Sequence, residues 1–231
     1  MAEDKEGVVI VIADIAGQFN ALMRLVSRIP QDEQIVLVGD LCDRGHETPE
    51  VVEWAMNTKR VTSIMGNHEH MMIDYWRKTK IYDDFIWSMN GGNTTILSYE
   101  RKYGQTKPSE EQLHWLETRP LYVKVGDDFL ITHAPLNQRI SLEQAIEFSK
   151  EYSRDFTRLE MSLLWNRSEP KEREYFQVFG HNSNWGLRRF DDWAICIDQS
   201  RKEILTGYRL ETGQILEEPY LINQKIEELE L

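Results

Sequence analysis

Cysteine is nearly absent. Cys42 and Cys196 are the only two in 231 residues, too few for a disulfide framework in a chain of this size, and they point to a reducing, cytoplasmic setting. No window approaches the ~20 uncharged apolar residues of a membrane span. The opening Met1-Ala2-Glu3-Asp4-Lys5-Glu6 is acidic and shows no secretory pattern. Basic residues are in deficit, 27 Lys and Arg against 39 Asp and Glu, for a formal charge of −12. That balance disfavours nucleic-acid polymers and anionic membranes as partners, since both call for a basic face. It does not exclude a phosphorylated substrate, because bound metal can supply the local positive charge. Repeats and low-complexity tracts are missing too.

What remains is ordinary for a globular protein: 41% apolar and 29% charged residues. The length fits one large domain or two small ones. The β-branched run at 8–12 reads as a first central strand. Phe19, Leu22, Met23, Val26 and Ile29 then recur at helical spacing before Pro30. A second strand at 35–38 leads to Thr48-Pro49, which has the form of an N-cap followed by Pro in the first helical turn. A third strand is expected at 61–65, so three β-to-α units imply parallel strands with right-handed crossovers. Residues 71–118 are rich in Trp and Tyr and read as helical, with a capping box at Ser109 to Gln112 and a break at Asn90-Gly91-Gly92-Asn93. Beyond them lie a hairpin over 121–132, helices over 142–152 and 159–164, a strand at 176–179 and closing antiparallel strands at 193–197, 203–209 and 214–216. No Ser/Pro-rich linker interrupts the chain. We therefore expect one domain over 1–231, with 71–118 as a helical insertion or cap and 217–231 as an acidic tail whose end is a short helix.

Chemistry-bearing residues sit where apolar runs end. Asp14, Asp40 with Asp43, Asn67 with His68, His133 and His181 each follow a predicted strand, the position at which α/β folds keep their sites. Asp40, Asp43 and Arg44 within one turn suit a divalent cation beside a phosphate: carboxylates hold the metal, and the guanidinium fork holds the anion. A mixture of carboxylate, amide oxygen and imidazole favours Mn, Fe or Zn over Ca or Mg. With the lone Cys42 in that turn and no paired cysteines, a structural zinc finger is unsupported.

Taken in order, Asp14-Ile15-Ala16-Gly17, Gly39-Asp40-Leu41-Cys42-Asp43-Arg44-Gly45, Gly66-Asn67-His68-Glu69, His133-Ala134 and Gly180-His181 resemble the signature of the phosphoprotein phosphatase-type, calcineurin-like metallophosphoesterases. The similarity is greatest to the compact bacterial and phage lambda type. The resemblance implies a four-layer α/β/β/α sandwich with a dinuclear site, two divalent ions with Mn foremost, at the strand ends. It implies Asp40 as the bridging carboxylate, Asn67, His133 and His181 as further ligands of the second metal, and Asp14 as a ligand of the first. His68 would protonate the leaving group with Asp43 orienting it, and Arg44 and Arg167 would clamp the phosphate. A metal-bridging hydroxide would attack phosphorus in line, with no covalent intermediate.

One position departs. Where the family carries a histidine ligand of the first metal, this chain has Ala16, so that metal should be weak or absent and activity reduced. The alanine reads either as an introduced, disarming change or as a natural one-metal or non-catalytic variant. Met65 stands where lambda-type members tend to carry a basic residue. Three functions stay in view: a serine/threonine or broad-specificity phosphomonoesterase, a hydrolase of the diadenosine tetraphosphate type, and a phosphoprotein-binding module without turnover. The expected partner is a phosphorylated protein or small phosphoester.

Overall fold

The computed structural model describes residues 7–82, 84–150, 156–184 and 186–220. In chain order, Val9–Ile12 (β1), Phe19–Val26 (α1), Gln34–Leu37 (β2), Thr48–Asn57 (α2) and Val61–Ser63 (β3) form two successive crossovers. Four helices follow: Asn67–Arg77 (α3), Asp84–Trp87 (α4), Asn93–Tyr103 (α5) and Glu110–Glu117 (α6). The second half contains Tyr122–Val125 (β4), Phe129–Thr132 (β5), Leu142–Lys150 (α7), Phe156–Leu159 (α8), Phe176–Phe179 (β6), Arg188–Phe190 (β7), Ala194–Cys196 (β8), Ile204–Arg209 (β9) and Ile215–Pro219 (β10). They build two five-stranded sheets, ordered β10-β9-β1-β2-β3 and β4-β5-β6-β8-β7.

Side-chain alternation along β1 explains the layering. Val9 and Val11 face the second sheet and meet Ile131, Val178 and Ile195. Ile10 and Ile12 face the other way, onto Leu22 and Leu25 of α1 and Val51 and Val52 of α2. Strands buried on both faces must read as continuous apolar runs, and these do. On the far side of the second sheet, Leu130 packs with Ala145 of α7 and Leu163. The result is the expected α/β/β/α sandwich, with β1, β2 and β3 paired in parallel.

Several local expectations need correcting. Glu47 stands at the N-cap of α2, and the Thr48 hydroxyl turns inward to Thr95 at 3.2 Å. The closing strands are not all antiparallel: β8 pairs in parallel with β6 and antiparallel with β7. The connection leaves β6, forms the short edge strand β7 with its exposed Arg188 and Arg189, and only then returns as β8. Glu217 to Pro219, read above as the start of the tail, are the end of β10; the expected terminal helix and residues 151–152 lie outside the described residues. The capping box does form at Ser109 and Gln112. Among the described residues no helix is long and apolar enough to cross a membrane.

The turn after β2 depends on a missing side chain. Gly39 has φ 92°, and a Cβ there would meet the Gly66 nitrogen at 2.5 Å. Left-handed backbone and close approach both demand glycine, and this contact sets the loop after β2 against the start of α3. Gly39→Ala should therefore cost on the order of 3 kcal/mol, seen as a lowered Tm. Gly7→Ala, whose added methyl meets nothing within 4 Å, should leave Tm unchanged.

Candidate functional site

Strands of both sheets end at one place. Asp14 follows β1, Asp40 follows β2, Asn67 and His68 open α3, His133 follows β5 and His181 follows β6, and all six are buried. The loops cross tightly: the Asp40 carbonyl accepts from Ile15 N at 3.1 Å and Ala16 N at 2.7 Å, and the Ala16 carbonyl accepts from Gly45 N at 2.9 Å. Ala16, Asp40, Asp43, Arg44 and His181 all have positive φ, a costly backbone for residues with side chains and one that concentrates at working sites.

Glu69 fixes the Asp40 loop from beneath. Its carboxylate accepts from the backbone nitrogens of Asp40, Leu41 and Cys42 at 2.7, 2.7 and 3.3 Å and of Gly66 at 2.9 Å. Burial and the charge of Asp40 push its pKa up to about 7. Donors at both oxygens favour the anion, and we read the geometry as that of a carboxylate.

The His133 imidazole behind Asp40 presents a lone pair to oxygen atoms. His133 Nδ1 donates to the Val38 carbonyl at 2.8 Å, so Nε2 of the neutral ring is an acceptor. Burial lowers the His133 pKa, against the charge of Asp40. That acceptor lies 2.8 Å from Asn67 Oδ1 and 3.4 Å from Asp40 Oδ1, and His181 Nδ1 comes within 3.0 Å of the same amide oxygen. Acceptors gathered this closely call for a cation among them, and the donor set of nitrogen, amide oxygen and carboxylate suits a transition metal. Asp14, Asp40 and His133 also bring ligand atoms within 4.8 Å of one another. Burial opposes ionisation of Asp40, but His133, His68 and His181 outweigh it and hold its pKa below the usual carboxylate range. Asp14 is raised well above that range by burial, then by Asp198 and Asp40.

On the open side, His68 Nδ1 donates to Asp43 Oδ2 at 2.6 Å, and Arg44 Nη2 donates to His68 Nε2 at 3.0 Å. The helical cover holds Asp43 in turn: Trp87 Nε1 donates to Oδ2 at 2.9 Å and the Thr95 hydroxyl to Oδ1 at 2.7 Å. Burial works to lower the His68 pKa, yet Asp40 and Asp43 outweigh it and raise it. Arg44 and Arg167 are exposed at the rim, and Arg167 Nη1 reaches the His181 carbonyl at 3.5 Å. Beside Arg167 opens a cavity of about 950 Å³, lined among others by Tyr82, Arg139 and Trp165.

A family model described as calcineurin-like phosphoesterase matches residues 7–210. The chain belongs to that family. Among curated calcineurin-like relatives, it is 28% identical over 150 residues to the symmetrical bis(5'-nucleosyl)-tetraphosphatase of Vibrio parahaemolyticus, covering 62% of this chain and 50% of that one. It is 26% identical over 163 residues to serine/threonine-protein phosphatase 2 of Salmonella typhimurium, covering 68% and 66%. The chain thus spans half to two thirds of these relatives' length. In fold it resembles the cold-active protein tyrosine phosphatase of a psychrophilic Shewanella species, with TM-score 0.61, 19% identity and coverage of 95% and 81%. Metal dependence is a property of the family, and this chain's donors fit a cation at the position of Asp40, Asn67, His133 and His181.

Other residues of this calcineurin-like phosphoesterase carry no role in the sequence reading yet shape the site. Glu69, Trp87 and Thr95 hold Asp40 and Asp43 in place, and Asp198 follows β8 at the same end of the second sheet. Cys42 and Cys196 are buried free thiols, and burial pushes both pKa values up, so neither offers a thiolate nucleophile. After loading with Mn²⁺ and dialysis against metal-free buffer, elemental analysis should show about one ion retained per chain. His133→Ala should release it. Retention unchanged in that variant would remove His133 from the cation's ligands.

Proposed function

We propose that this calcineurin-like phosphoesterase is a metal-dependent phosphomonoesterase acting on phosphoserine or phosphothreonine in proteins, with tolerance for small phosphoesters. The observation that carries it is the Asp43–His68–Arg44 chain of hydrogen bonds at the rim of the donor cluster. Asp40, Asn67, His133 and His181 would hold the second cation, and Asp14 with Asp40 the first, Mn²⁺ being the candidate the donor mixture favours. Bound there, divalent cations supply Lewis acidity and an ionised water as nucleophile. A cytoplasmic setting, where thiols stay reduced, suits the two free cysteines.

His68 supplies the leaving-group proton in this reading. Without substrate, Arg44 holds Nε2 as an acceptor, and its charge works to lower the His68 pKa. An arriving phosphate draws the guanidinium onto its own oxygens. Nε2 is then free to take a proton from solvent, which the charges of Asp40 and Asp43 favour, and from there to pass it to the ester oxygen. Arg167, exposed beside the His181 carbonyl, completes the clamp. Ala16 removes one imidazole from the first cation's position, which reduces turnover without disturbing this proton path.

A hydrolase of dinucleoside tetraphosphates is the second reading. It is favoured by the cavity beside Arg167, where Tyr82 and Trp165 lie 5.6 Å apart as ring centroids and could accept a base. Parallel assays with Mn²⁺ on a phosphopeptide and on diadenosine tetraphosphate separate the two, and faster turnover of the dinucleotide would overturn our preference. Ala16→His should raise the rate at least tenfold. Binding of phosphopeptide with no turnover in either form would mark a recognition module.

His68→Ala should lower turnover of a phosphoserine peptide ~10²–10⁴-fold and that of an aryl phosphate much less, since a phenolate leaves without a proton. Asp43→Asn removes a contribution that raises the His68 pKa. The protonated form then disappears at lower pH, and the alkaline limb of the kcat/KM profile should move to lower pH. An unmoved limb would show that another group donates the proton.

A further inference from the structure

A single hydroxyl ties the first half of the chain to the second. His68 lies in the first turn of α3, and His70 and Asp74 follow, one helical turn apart and both buried. Asp74 accepts from the Thr79 hydroxyl and from the backbone nitrogens of Ile81 and Tyr82 at 2.9 and 3.0 Å. It thereby holds the turn over 78–82, in which Lys78 and Lys80 take left-handed φ of 59° and 58°. Residues with side chains keep that backbone only where their surroundings enforce it. The turn delivers the Tyr82 hydroxyl to within 2.7 Å of His70 Nδ1. Trp165 Nε1, from the second half of the chain, donates to the same hydroxyl at 2.9 Å. The proton path through Asp43 and His68 makes no use of this His70–Tyr82–Trp165 chain.

Beyond the indole, the contacts lead to the rim. The Trp165 ring stands edge-on to the His181 ring, at 6.2 Å between centroids and 86°, and Arg167, two residues on, reaches the His181 carbonyl at 3.5 Å. Between them the buried Asn166 donates to the Pro135 carbonyl at 2.7 Å and accepts from Ser168 N at 3.0 Å. The segment 165–168 is thus pinned at Asn166 from the loop after His133 and at Trp165 from α3. The Arg167 side chain itself is exposed and makes that single long hydrogen bond among the described residues. An exposed arginine has much rotamer freedom to lose on gripping an anion, so its aim depends on the backbone that carries it. We infer that Tyr82 is a positioning residue: its hydroxyl ties the Trp165–Arg167 segment to α3, the helix that carries His68, and so sets where Arg167 stands for an incoming phosphate. That role for Arg167 is taken from the phosphomonoesterase reading above; the tie itself is not.

Tyr82→Phe keeps the ring and removes only the hydroxyl. Hydrogen–deuterium exchange on the full chain without ligand reads the tie directly. Exchange over 165–168, where the amides of Trp165, Asn166 and Ser168 are hydrogen-bonded in the parent, should quicken about tenfold, with β1 and β2 unchanged. Unchanged exchange over 165–168 would overturn the inference. So would faster exchange across β1 and β2, since Tyr82 would then support the fold at large. The consequence is read as affinity of the Mn²⁺-loaded protein for a fluorescent peptide carrying a phosphonate in place of phosphoserine, by anisotropy. Arg167→Ala should weaken binding about tenfold or more, Tyr82→Phe about three- to tenfold, and the double variant no further than Arg167→Ala alone. Losses that add, a Tyr82→Phe protein that binds as the parent does, or an Arg167→Ala protein with the parent's affinity would each overturn it. A parent that does not hold the phosphonate counts against the phosphomonoesterase reading, and the exchange result then decides the tie on its own.

Discussion

The site depends on one carboxylate that faces no substrate. Glu69 gathers the backbone nitrogens of Asp40, Leu41, Cys42 and Gly66, and so ties the loop after β2 to the first turn of α3. Asp40 sits in left-handed backbone, φ 51°, which a side chain adopts only when its surroundings over-determine it. Four N–H donors on one anion supply that determination, because hydrogen bonds to a charged acceptor are stronger than neutral ones. The His68 nitrogen then donates to Asp40 Oδ1 at 3.1 Å, so the carboxylate's aim and the imidazole's position follow from the same anchor.

Around that anchor the protein gathers buried polar groups that it satisfies only in part. Asp14, Asp40 and Asp198 are buried together, and the acceptors of His133 and Asn67 face each other across the space between the sheets. An apolar core of the same volume would be more stable. The acceptors that face one another are instead what would make the cluster a receptor for cations. Because β1 and β2 belong to one sheet and β5 and β6 to the other, a cation held there also joins the two layers.

Much of this was legible in the sequence because strand ends are readable. An apolar run followed by an acid, amide or imidazole picked out Asp14, Asp40, Asn67, His133 and His181, and the structure brings them together. The same rule would have found Asp198, which follows the apolar stretch 194–197; it went unnoticed because it belongs to no motif of the family resemblance. Trp87 and Thr95 were illegible for a different reason. Their contacts with Asp43 span 44 and 52 residues, and no local pattern encodes which of many aromatic or hydroxyl groups closes such a distance. The edge strand β7 was hidden by its length and by Arg188 and Arg189, whose charge masks the strand signal. Thr48 looked like a cap because Pro follows it, but its hydroxyl was needed by Thr95.

The hydrogen bonds from Trp87 and Thr95 to Asp43 have a consequence for how this protein can change. The helical cover frames the cavity beside Arg167 through Tyr82 and Ile86, and the same cover carries two of the groups that set the electron density on Asp43. In the reading proposed above, a mutation that reshapes the cover around that cavity also disturbs the hydrogen bonds that hold Asp43 against His68. On that reading the shape of the cavity and the environment of His68 share one scaffold, so the two would not drift independently as the sequence diverges.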